Sequence, residues 1–402
     1  MKVLQINSVC GTGSTGKLAV QISNYLNNQG IDNYIAYGFG RSDRPNTFKV
    51  GNMADAHLHS FLSRKLCLQG YGSWFATGAL IHYIKKIRPT IIHLHNIHGH
   101  YLNFPRLFRA LAKCDCDVVW TFHDCWPMTG KCTHFVQANC QKWQVQCQNC
   151  CQLATYPDSA YDRSFKNHRD KKRYFLMPER LHIVAVSRWL KEVAEASFFV
   201  GRDIRYIYNG VDLDVFRPMP SDIREKLGVG SKFMLLGVAS PWNSNKRYDQ
   251  MLELAQRLDE DSVMVLVGVS EAQKATLPAK VIGITRTEDQ QQLAQIYTAA
   301  DVLVNLSAEE TFGLVVAEAQ ACGTPAIVLN STACPEVVSP ETGIVISAKA
   351  NLAELDAALA EVRAKGKRWY SESCIARTRQ EFANERMQEQ YYKLYCELEK
   401  TL

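Results

Sequence analysis

The sequence predicts an α/β protein of two doubly wound, parallel-sheet domains. Two series of short, β-rich runs separated by helical stretches carry this prediction. Several runs, such as DVVWTFHD (117–124) and SVMVLVG (262–268), are almost continuously apolar, as expected of strands that helices cover on both faces. A chain of 402 residues is also too long for one ordinary hydrophobic core, so two domains are expected.

The predicted strands fall into one series for each domain. The first series is KVLQINSV (2–9), NYIAYGF (33–39), TIIHLHN (90–96), DVVWTFHD (117–124) and HIVAVS (182–187). The second series is KFMLLGVAS (232–240), SVMVLVG (262–268), KVIGIT (280–285), DVLVNLS (301–307), PAIVLN (325–330) and GIVIS (343–347). Helical stretches between consecutive strands favour parallel pairing in each series.

The domain boundary is predicted within IYNGVDLDVFRPMPSD (207–222), which contains turn residues and prolines but no sustained period. The predicted domains are therefore 1–207 and 208–378. An amphipathic helix follows within 379–402 and is expected to cross back to the first domain. Its apolar residues at helical spacing are Phe382, Met387, Tyr391, Leu394 and Leu398.

Composition and charge restrict the class of protein. No run is apolar enough to span a bilayer, and the polar residues Gln5, Asn7 and Ser8 argue against a signal peptide. We therefore expect a cytoplasmic protein whose fourteen cysteines are thiols or metal ligands. Residues 1–200 contain 24 Lys and Arg against 12 Asp and Glu, which indicates an anionic partner, whereas residues 201–402 contain 22 against 28. The densest basic patch, RSFKNHRDKKR (163–173), is either a solvated helix face or a membrane or phosphate contact.

The stretch GTGSTGKL (11–18) contains the glycines of two nucleotide-binding motifs and completes neither. A P-loop requires Ser or Thr after its lysine, where Leu18 stands. A dinucleotide-binding loop requires an acid at the end of the second strand, and Asp43 lies beyond that end. What remains is a turn, with Gly13 and Gly16, whose helix amides can approach an anion.

The most informative segment is SAEETFGLVVAEAQACGTPAIV (307–328), where a strand, a loop and a helix follow one another. Glu310 lies in the loop, Gly313 opens the helix, and Glu318 lies less than two turns further on. The two glutamates can therefore face one ligand, with amides near Leu314 facing a phosphate between them. Exposed loop and helix charges are the alternative.

These motifs resemble the donor-site signature of the retaining glycosyltransferases of family four. The matching motifs are Glu310-x7-Glu318, the AxACGTPAIV after it and YTAADVLVNLS before it. In the first half, HLHNIHGHYLN and WTFHDCWPMTGKC resemble a branch that makes bacterial capsules, colanic acid and other exopolysaccharides. The resemblance implies the GT-B fold, in which two Rossmann-like domains face each other across a cleft. It also implies sugar transfer, with retention, from a nucleotide diphosphate sugar (UDP or GDP) to a growing, lipid-linked oligosaccharide or polysaccharide.

The resemblance implies roles for individual residues. Lys246 matches the residue that pairs with the donor pyrophosphate, Glu310 the one that binds sugar hydroxyls, and Glu318 the one that holds the ribose. His123 matches a histidine beside the sugar, which Asp124 could orient. The further donor-site residues are Gly13, Gly16, Arg247, Gly268, Thr311, Phe312, Gly313 and Leu314, and the acceptor side includes His98 and Asp124. Because the leaving diphosphate is the expected proton acceptor, no cofactor is expected for catalysis.

Two clusters leave alternatives open. His93, His95, His98 and His100 are expected to line the cleft or pack in the core rather than bind a metal, since no carboxylate or Cys accompanies them locally. In the Cys-rich loop 125–151, four residues either form a structural zinc site or are buried thiols. These four are Cys132, Cys140, Cys147 and Cys150.

Three functions are compatible with these observations. The first is the glycosyltransferase, cytoplasmic and peripheral on the inner face of an anionic membrane, with no nucleic-acid partner. The second is a zinc-knuckle nucleic-acid-binding protein, which would leave Glu310 and Glu318 without a role. The third is a P-loop or Rossmann enzyme, and Leu18 argues against the former.

Overall fold

The computed structural model describes residues 1–400, and the chain divides into two compact units. The first unit combines Met1–Ile207 with the residues from Met387 onward, and the second unit is Tyr208–Arg386. Among residues 1–400, no helix combines the length and the apolar composition needed to cross a bilayer.

The first unit is built on a seven-stranded parallel sheet. Its strands are β1 (Lys2–Val9), β2 (Asp32–Phe39), β3 (Thr47–Lys49), β4 (Ile91–Leu94), β5 (Asp117–Phe122), β6 (Leu181–Ala185) and β7 (Asp203–Tyr206). Its helices are α1 (Gly13–Asn28), α2 (Met53–Leu66), α3 (Trp74–Ile87), α4 (Phe104–Leu111), α5 (Ser164–Phe175), α6 (Arg188–Glu195) and, at the end of the described chain, α15 (Asn384–Glu399). The strand order β3-β2-β1-β4-β5-β6-β7 reverses between β1 and β4.

The second unit is built on a six-stranded parallel sheet. Its strands are β8 (Phe233–Val238), β9 (Ser262–Val267), β10 (Val281–Ile284), β11 (Val302–Asn305), β12 (Ala326–Leu329) and β13 (Gly343–Ile346). Its helices are α7 (Ile223–Lys226), α8 (Tyr248–Gln256), α9 (Glu271–Lys274), α10 (Gln290–Ala299), α11 (Leu314–Ala321), α12 (Cys334–Val337), α13 (Leu352–Lys365) and α14 (Lys367–Glu381). The order β10-β9-β8-β11-β12-β13 reverses between β8 and β11.

All eleven predicted strands are present, and most end one or two residues earlier than predicted. The earlier ends have a physical reason: the polar residues after each apolar run, such as His123 and Ser307, already belong to loops at the carboxyl edge of the sheet. Two strands, β3 and β7, were not predicted. Both are short edge strands with exposed residues and lack the apolar run of a central strand.

The predicted C-terminal helix is present but begins later than its apolar pattern suggested. Because α14 ends at Glu381 and α15 begins at Asn384, Phe382 lies between the helices. It packs in the second unit against the rings of Tyr208 (5.3 Å) and Phe312 (5.5 Å). The other four residues of the pattern are buried in the core of the first unit: Met387, Tyr391, Leu394 and Leu398. The helix α15 therefore completes that core.

Candidate active site

Lys246 and Glu310 lie on two loops at the carboxyl edge of the second sheet. One loop follows β8 and the other follows β11, the two strands between which the strand order reverses. Ligands of open parallel sheets bind at such a point because the neighbouring loops diverge there. Lys246 Nζ donates to Glu310 Oε1 in an ion pair, and the two side chains are 23% and 19% exposed. The structure thus brings two predicted catalytic residues into contact.

Hydrogen bonds hold these two loops in place. The amide of Ala308 donates to the carbonyl of Asn245 (2.8 Å), and Asn245 Nδ2 donates to the carbonyl of Glu309 (3.2 Å). The amide of Glu310 donates to Thr332 Oγ1 (2.9 Å). Sequence reasoning missed Asn245 and Thr332, because their contacts join loops that are far apart in the sequence.

The amino end of α11 lies directly after Glu310. Gly313 precedes the helix with φ +97°, a left-handed conformation that favours glycine. The amide of Val316 donates to the carbonyl of Gly313 at 2.9 Å, whereas the amides of Leu314 and Val315 have no partner within the helix and lie at its positive end. Thr311 lies in the same turn region, whereas the side chain of Phe312 is 2% exposed and belongs to the core. The geometry suits the binding of an anion by backbone amides.

Glu318 is buried on α11, where a tyrosine holds its carboxylate. Tyr297 OH donates to Glu318 Oε2 at 3.0 Å. Burial, followed by the charge of Glu318, raises the pKa of Tyr297 well above its usual value, so the hydroxyl keeps its proton. Sequence reasoning missed this role of Tyr297, which begins the YTAAD run.

Two further predicted donor-site residues have distinct surroundings. Gly268 follows β9 with φ +88°, and a Cβ atom there would collide with the carbonyl oxygen of Ala239. Glycine is therefore required where the ends of β8 and β9 meet. The Arg247 guanidinium donates to the carbonyl of Ala348 (2.6 Å) and to Gln250 Oε1 (3.2 Å). Its contact with donor phosphates stays a prediction.

In the first unit, the glycine turn follows β1 at the point where the strand order reverses. The amide of Gly11 donates to the carbonyl of Gly16 at 3.0 Å, and α1 begins at Gly13. The N-cap Thr12 makes no side-chain cap, and residues 11–14 are exposed. This turn presents the amino end of a helix at the carboxyl edge of the sheet, as the sequence predicted.

Contacts around His123 determine where it carries its proton. Gln5 Nε2 donates to the carbonyl of Ala19 at 2.9 Å. Since a carbonyl can only accept, this contact fixes the orientation of the Gln5 amide, and the atom 3.0 Å from His95 Nε2 is Gln5 Oε1. His95 Nε2 therefore donates to Gln5, and His95 Nδ1 is an acceptor. Because His95 Nδ1 lies 3.2 Å from His123 Nε2, His123 carries its proton on Nε2.

Burial keeps this network neutral. It lowers the pKa of His123 to about 4, an effect that nearby Asp124 partly offsets. It also lowers the pKa of His93 to about 3 and that of His95 well below its usual value. His93 and His95 lie on one face of the sheet as predicted, with ring centroids 4.0 Å apart. Tyr395 OH lies 2.6 Å from His93 Nδ1, so α15 closes the network.

Asp124 binds His98. Its Oδ2 lies 2.7 Å from His98 Nε2, and its Oδ1 accepts from the amide of Trp126 at 2.8 Å. Burial raises the pKa of Asp124, but His98 and these hydrogen bonds outweigh burial and hold it below its usual value. The carboxylate is therefore ionised, and the two predicted acceptor-side residues form one pair. His123 Nε2 lies 3.2 Å from His95 Nδ1, and the orientation of His123 by Asp124 stays a prediction.

The Cys-rich loop contains buried, protonated thiols. Burial raises the pKa of Cys132 to about 12 and that of Cys147 to about 11. Cys147 Sγ accepts from the amide of Gly130 at 3.2 Å. Within residues 1–400, no group of three or more His, Cys, Asp or Glu side chains is arranged to hold a metal ion. The structural zinc site of Cys132, Cys140, Cys147 and Cys150 stays a prediction that elemental analysis decides.

Comparisons with known proteins match the two units to two family models, both of glycosyltransferases. The family model described as Glycosyltransferase Family 4 matches residues 15–215, half of the chain, and the model described as Glycosyl transferases group 1 matches residues 221–380. WcaC of Escherichia coli (strain K12), provisionally assigned as a colanic acid biosynthesis glycosyl transferase, is 24% identical over 370 residues. That similarity covers 86% of this chain and 87% of WcaC.

Solved structures share the whole fold. Sucrose-phosphate synthase from Thermosynechococcus elongatus has a TM-score of 0.74 at 18% identity and covers 100% of both chains. HepE of Anabaena in complex with UDP has a TM-score of 0.68 at 15% identity and covers 99% of this chain and 100% of its own. The predicted fold class, with two Rossmann-like units of the GT-B type, is confirmed. The nucleic-acid alternative finds no support. The chain is a glycosyltransferase of the group 1 type and belongs to Glycosyltransferase Family 4.

Proposed function

We propose that this glycosyltransferase is a retaining hexosyltransferase of extracellular polysaccharide or capsule synthesis. It takes its sugar from a nucleotide diphosphate sugar, with UDP or GDP as the nucleotide, and transfers it to a growing, lipid-linked acceptor. The observation that carries the proposal is the Lys246–Glu310 pair beside the amino end of α11, at the reversal point of the second sheet. Two relatives support it: HepE is a UDP complex, and WcaC is assigned to colanic acid biosynthesis.

In the proposed mechanism, the ion pair between Lys246 and Glu310 breaks when a donor binds. Negative charge develops on the leaving diphosphate, and Lys246 together with the first-turn amides of α11 stabilises it. Glu310 then exchanges the ammonium for hydroxyl groups of the sugar, since an ionised carboxylate only accepts hydrogen bonds. Glu318, which Tyr297 holds in place, binds the ribose hydroxyls.

Retention follows from attack on the face that the diphosphate leaves. The bond from the anomeric carbon to the phosphate oxygen breaks, the bond to the acceptor oxygen forms, and the acceptor proton passes to the leaving diphosphate. The enzyme supplies positioning and electrostatic stabilisation. His123 is neutral and contributes by hydrogen bonding rather than by charge.

The lipid-linked acceptor implies work at a membrane surface. We propose that the protein acts in the cytoplasm, peripheral on the inner face of the membrane. The excess of basic residues in the first 200 positions suits an anionic leaflet.

A thermal-shift screen tests the donor. We expect one of UDP, GDP, ADP and TDP, or its sugar, to raise the Tm, because a ligand of the native state stabilises it. Lys246→Ala should abolish that shift, Lys246→Arg should keep part of it, and the exposed control Lys349→Ala should leave it unchanged. A wild-type protein that responds to none of these nucleotides would refute the proposal.

A further inference from the structure

Three adjacent helices of the first unit form a strongly basic layer. The helix α4 packs against both α3 and α5. Together the three helices contain nine Lys and Arg and one acidic residue, Asp170. Asp170 is buried and accepts from Tyr71 OH and Lys166 Nζ, both at 2.9 Å. Almost no negative charge from these helices therefore reaches the surface.

A groove of about 880 Å³ lies between α3 and α4 within this layer. Its walls include the apolar residues Ile81, Ile84 and Pro89, and its rim includes the exposed cations Lys85, Arg88 and Lys113. The groove also contains one acid, Asp115, whose Oδ1 accepts from Arg180 at 2.8 Å. An apolar floor under a cationic rim suits a ligand with hydrocarbon and an anionic group in one molecule.

The cations of the groove divide into two sets. Arg106 stacks on the Trp74 ring (4.5 Å) and donates to its carbonyl (2.6 Å), and Arg109 donates to Tyr174 OH (2.6 Å). These two side chains build the wall. The other set is Lys85, Arg88 and Lys113. Within residues 1–400, none of these three side chains forms an ion pair with an acidic residue. Their charges are available to an anion from solvent.

Large apolar side chains stand at the Trp74 end of the groove. Trp74 is 52% exposed and Phe75 is 87% exposed, both in the first turn of α3. On α5, which packs against α4, Arg169, Lys172 and Arg173 are exposed, and Arg169 lies over the ring of the exposed Phe165 at 5.9 Å. Aromatic side chains among cations are the composition of a surface that enters the head-group region of a bilayer.

We propose that the groove between α3 and α4 binds an anionic phospholipid of a bilayer. The lipid phosphate contacts Lys85, Arg88 and Lys113, and hydrocarbon lies along Ile81 and Ile84. The basic face of α5 attracts the same leaflet over a longer range. This inference rests on the proposed membrane location and assigns it a binding site, whereas its test does not require sugar transfer.

Vesicle flotation of the full chain tests the inference. Vesicles of phosphatidylcholine alone are compared with vesicles that also contain phosphatidylglycerol. We expect binding to the anionic vesicles only, weakened by salt. Lys85→Gln with Arg88→Gln and Lys113→Gln should lower the bound fraction about tenfold. The control removes three exposed cations of the second unit, Lys232→Gln with Lys349→Gln and Arg379→Gln, and should bind as wild type. Equal losses in both triple variants would overturn the proposal.

A second variant separates the groove from a merely basic surface. Ala110→Trp fills the groove without changing charge, and we expect it to reduce vesicle binding while its Tm stays near that of the wild type. Unchanged binding by this variant, or by Ile81→Trp if Ala110→Trp unfolds, would show that the groove takes no lipid. At an ionic strength held constant with sodium chloride, inorganic phosphate should not compete with vesicles, and effective competition would make this a site for free anions instead. Every groove variant should keep the nucleotide-induced Tm shift that depends on Lys246. The experiment therefore distinguishes a failure of the lipid-binding proposal from a failure of the donor-site proposal.

Discussion

The carboxyl edges of the two sheets carry opposite kinds of chemistry. In the second unit, Lys246 and Glu310 form an ion pair at the point where the strand order reverses. In the first unit, Gln5, His95 and His123 form a neutral hydrogen-bonded chain at the corresponding edge. The same architecture thus supports a charged site in one unit and, in the other, a neutral histidine chain next to the ionised Asp124.

Burial accounts for the difference. The side chains of the ion pair are 23% and 19% exposed, so water still solvates both charges. His95 is 1% exposed and His93 is fully buried, and a charge there would lose its hydration without an acid to compensate. The edge of the second unit therefore holds charged side chains, whereas the buried histidines of the first unit stay neutral.

The largest expected effect comes from removing a charge of the second unit. In Glu310→Gln the side chain keeps its size but loses the ionised acceptor for sugar hydroxyls, so we expect kcat to fall about 10²-fold or more. Affinity for the nucleoside diphosphate should be mostly kept, since Lys246 and the α11 amides remain. Steady-state kinetics and the nucleotide-induced Tm shift measure the two effects. Glu372→Gln, at an exposed position of α14, is the control. Unchanged turnover would refute the sugar contact.

The charged site was predictable because its parts are close in sequence. Glu310, Gly313 and Glu318 lie within nine residues, and an apolar strand followed by a glycine and an apolar helix fixes their order in space. Lys246 was placed by resemblance to the family. The residues that position them, Asn245, Thr332 and Tyr297, contact them across loops and helices, so no local pattern identifies these contacts.

The neutral site was predictable only in part. His95 and His123 were named, but Gln5 looks like an interruption of an apolar strand, and its partner His95 is far along the chain. The position of the His123 proton depends on three successive contacts that exist only in the folded unit. Tyr395 reaches the same network from α15, almost at the end of the described chain.

A smaller effect is expected from disturbing the neutral chain. Gln5→Leu removes the acceptor of the His95 Nε2 proton, so His95 and His123 can each adopt the other neutral tautomer. We expect kcat to fall about tenfold with KM nearly unchanged, because His123 is misoriented rather than lost. The ¹⁵N NMR spectrum of the histidine rings reports the tautomers directly and should show His123 protonated on Nε2 only in the wild type.

The control for this change is Thr121→Val, which removes the hydroxyl 2.7 Å from His93 Nε2 without touching the His95–His123 contact. Its His123 signal should match the wild type. A wild-type spectrum with the proton of His123 on Nδ1 would contradict the assigned chain.

The smallest effect expected from a single residue is a pH dependence of stability, which is confined to the first unit. All eleven histidines lie there. Burial lowers the pKa of His123 to about 4 and those of His93 and His59 to about 3, against 6.5 in the unfolded chain. Because the unfolded chain binds more protons, stability is present above pH 6.5 and is lost as the pH falls towards 4.

Between pH 7 and pH 6 the loss is about 0.7 kcal/mol for each of these histidines, roughly a threefold change in the opening equilibrium. Hydrogen exchange read by mass spectrometry resolves the two units, and peptides around β4 and β5 should lose protection while those around β8 and β11 keep theirs, after correction for the intrinsic exchange rate. Equal losses in both units would mean that acid acts on charged pairs common to both rather than on the buried histidines. That outcome would contradict the inference that buried, neutral histidines distinguish the first unit from the second.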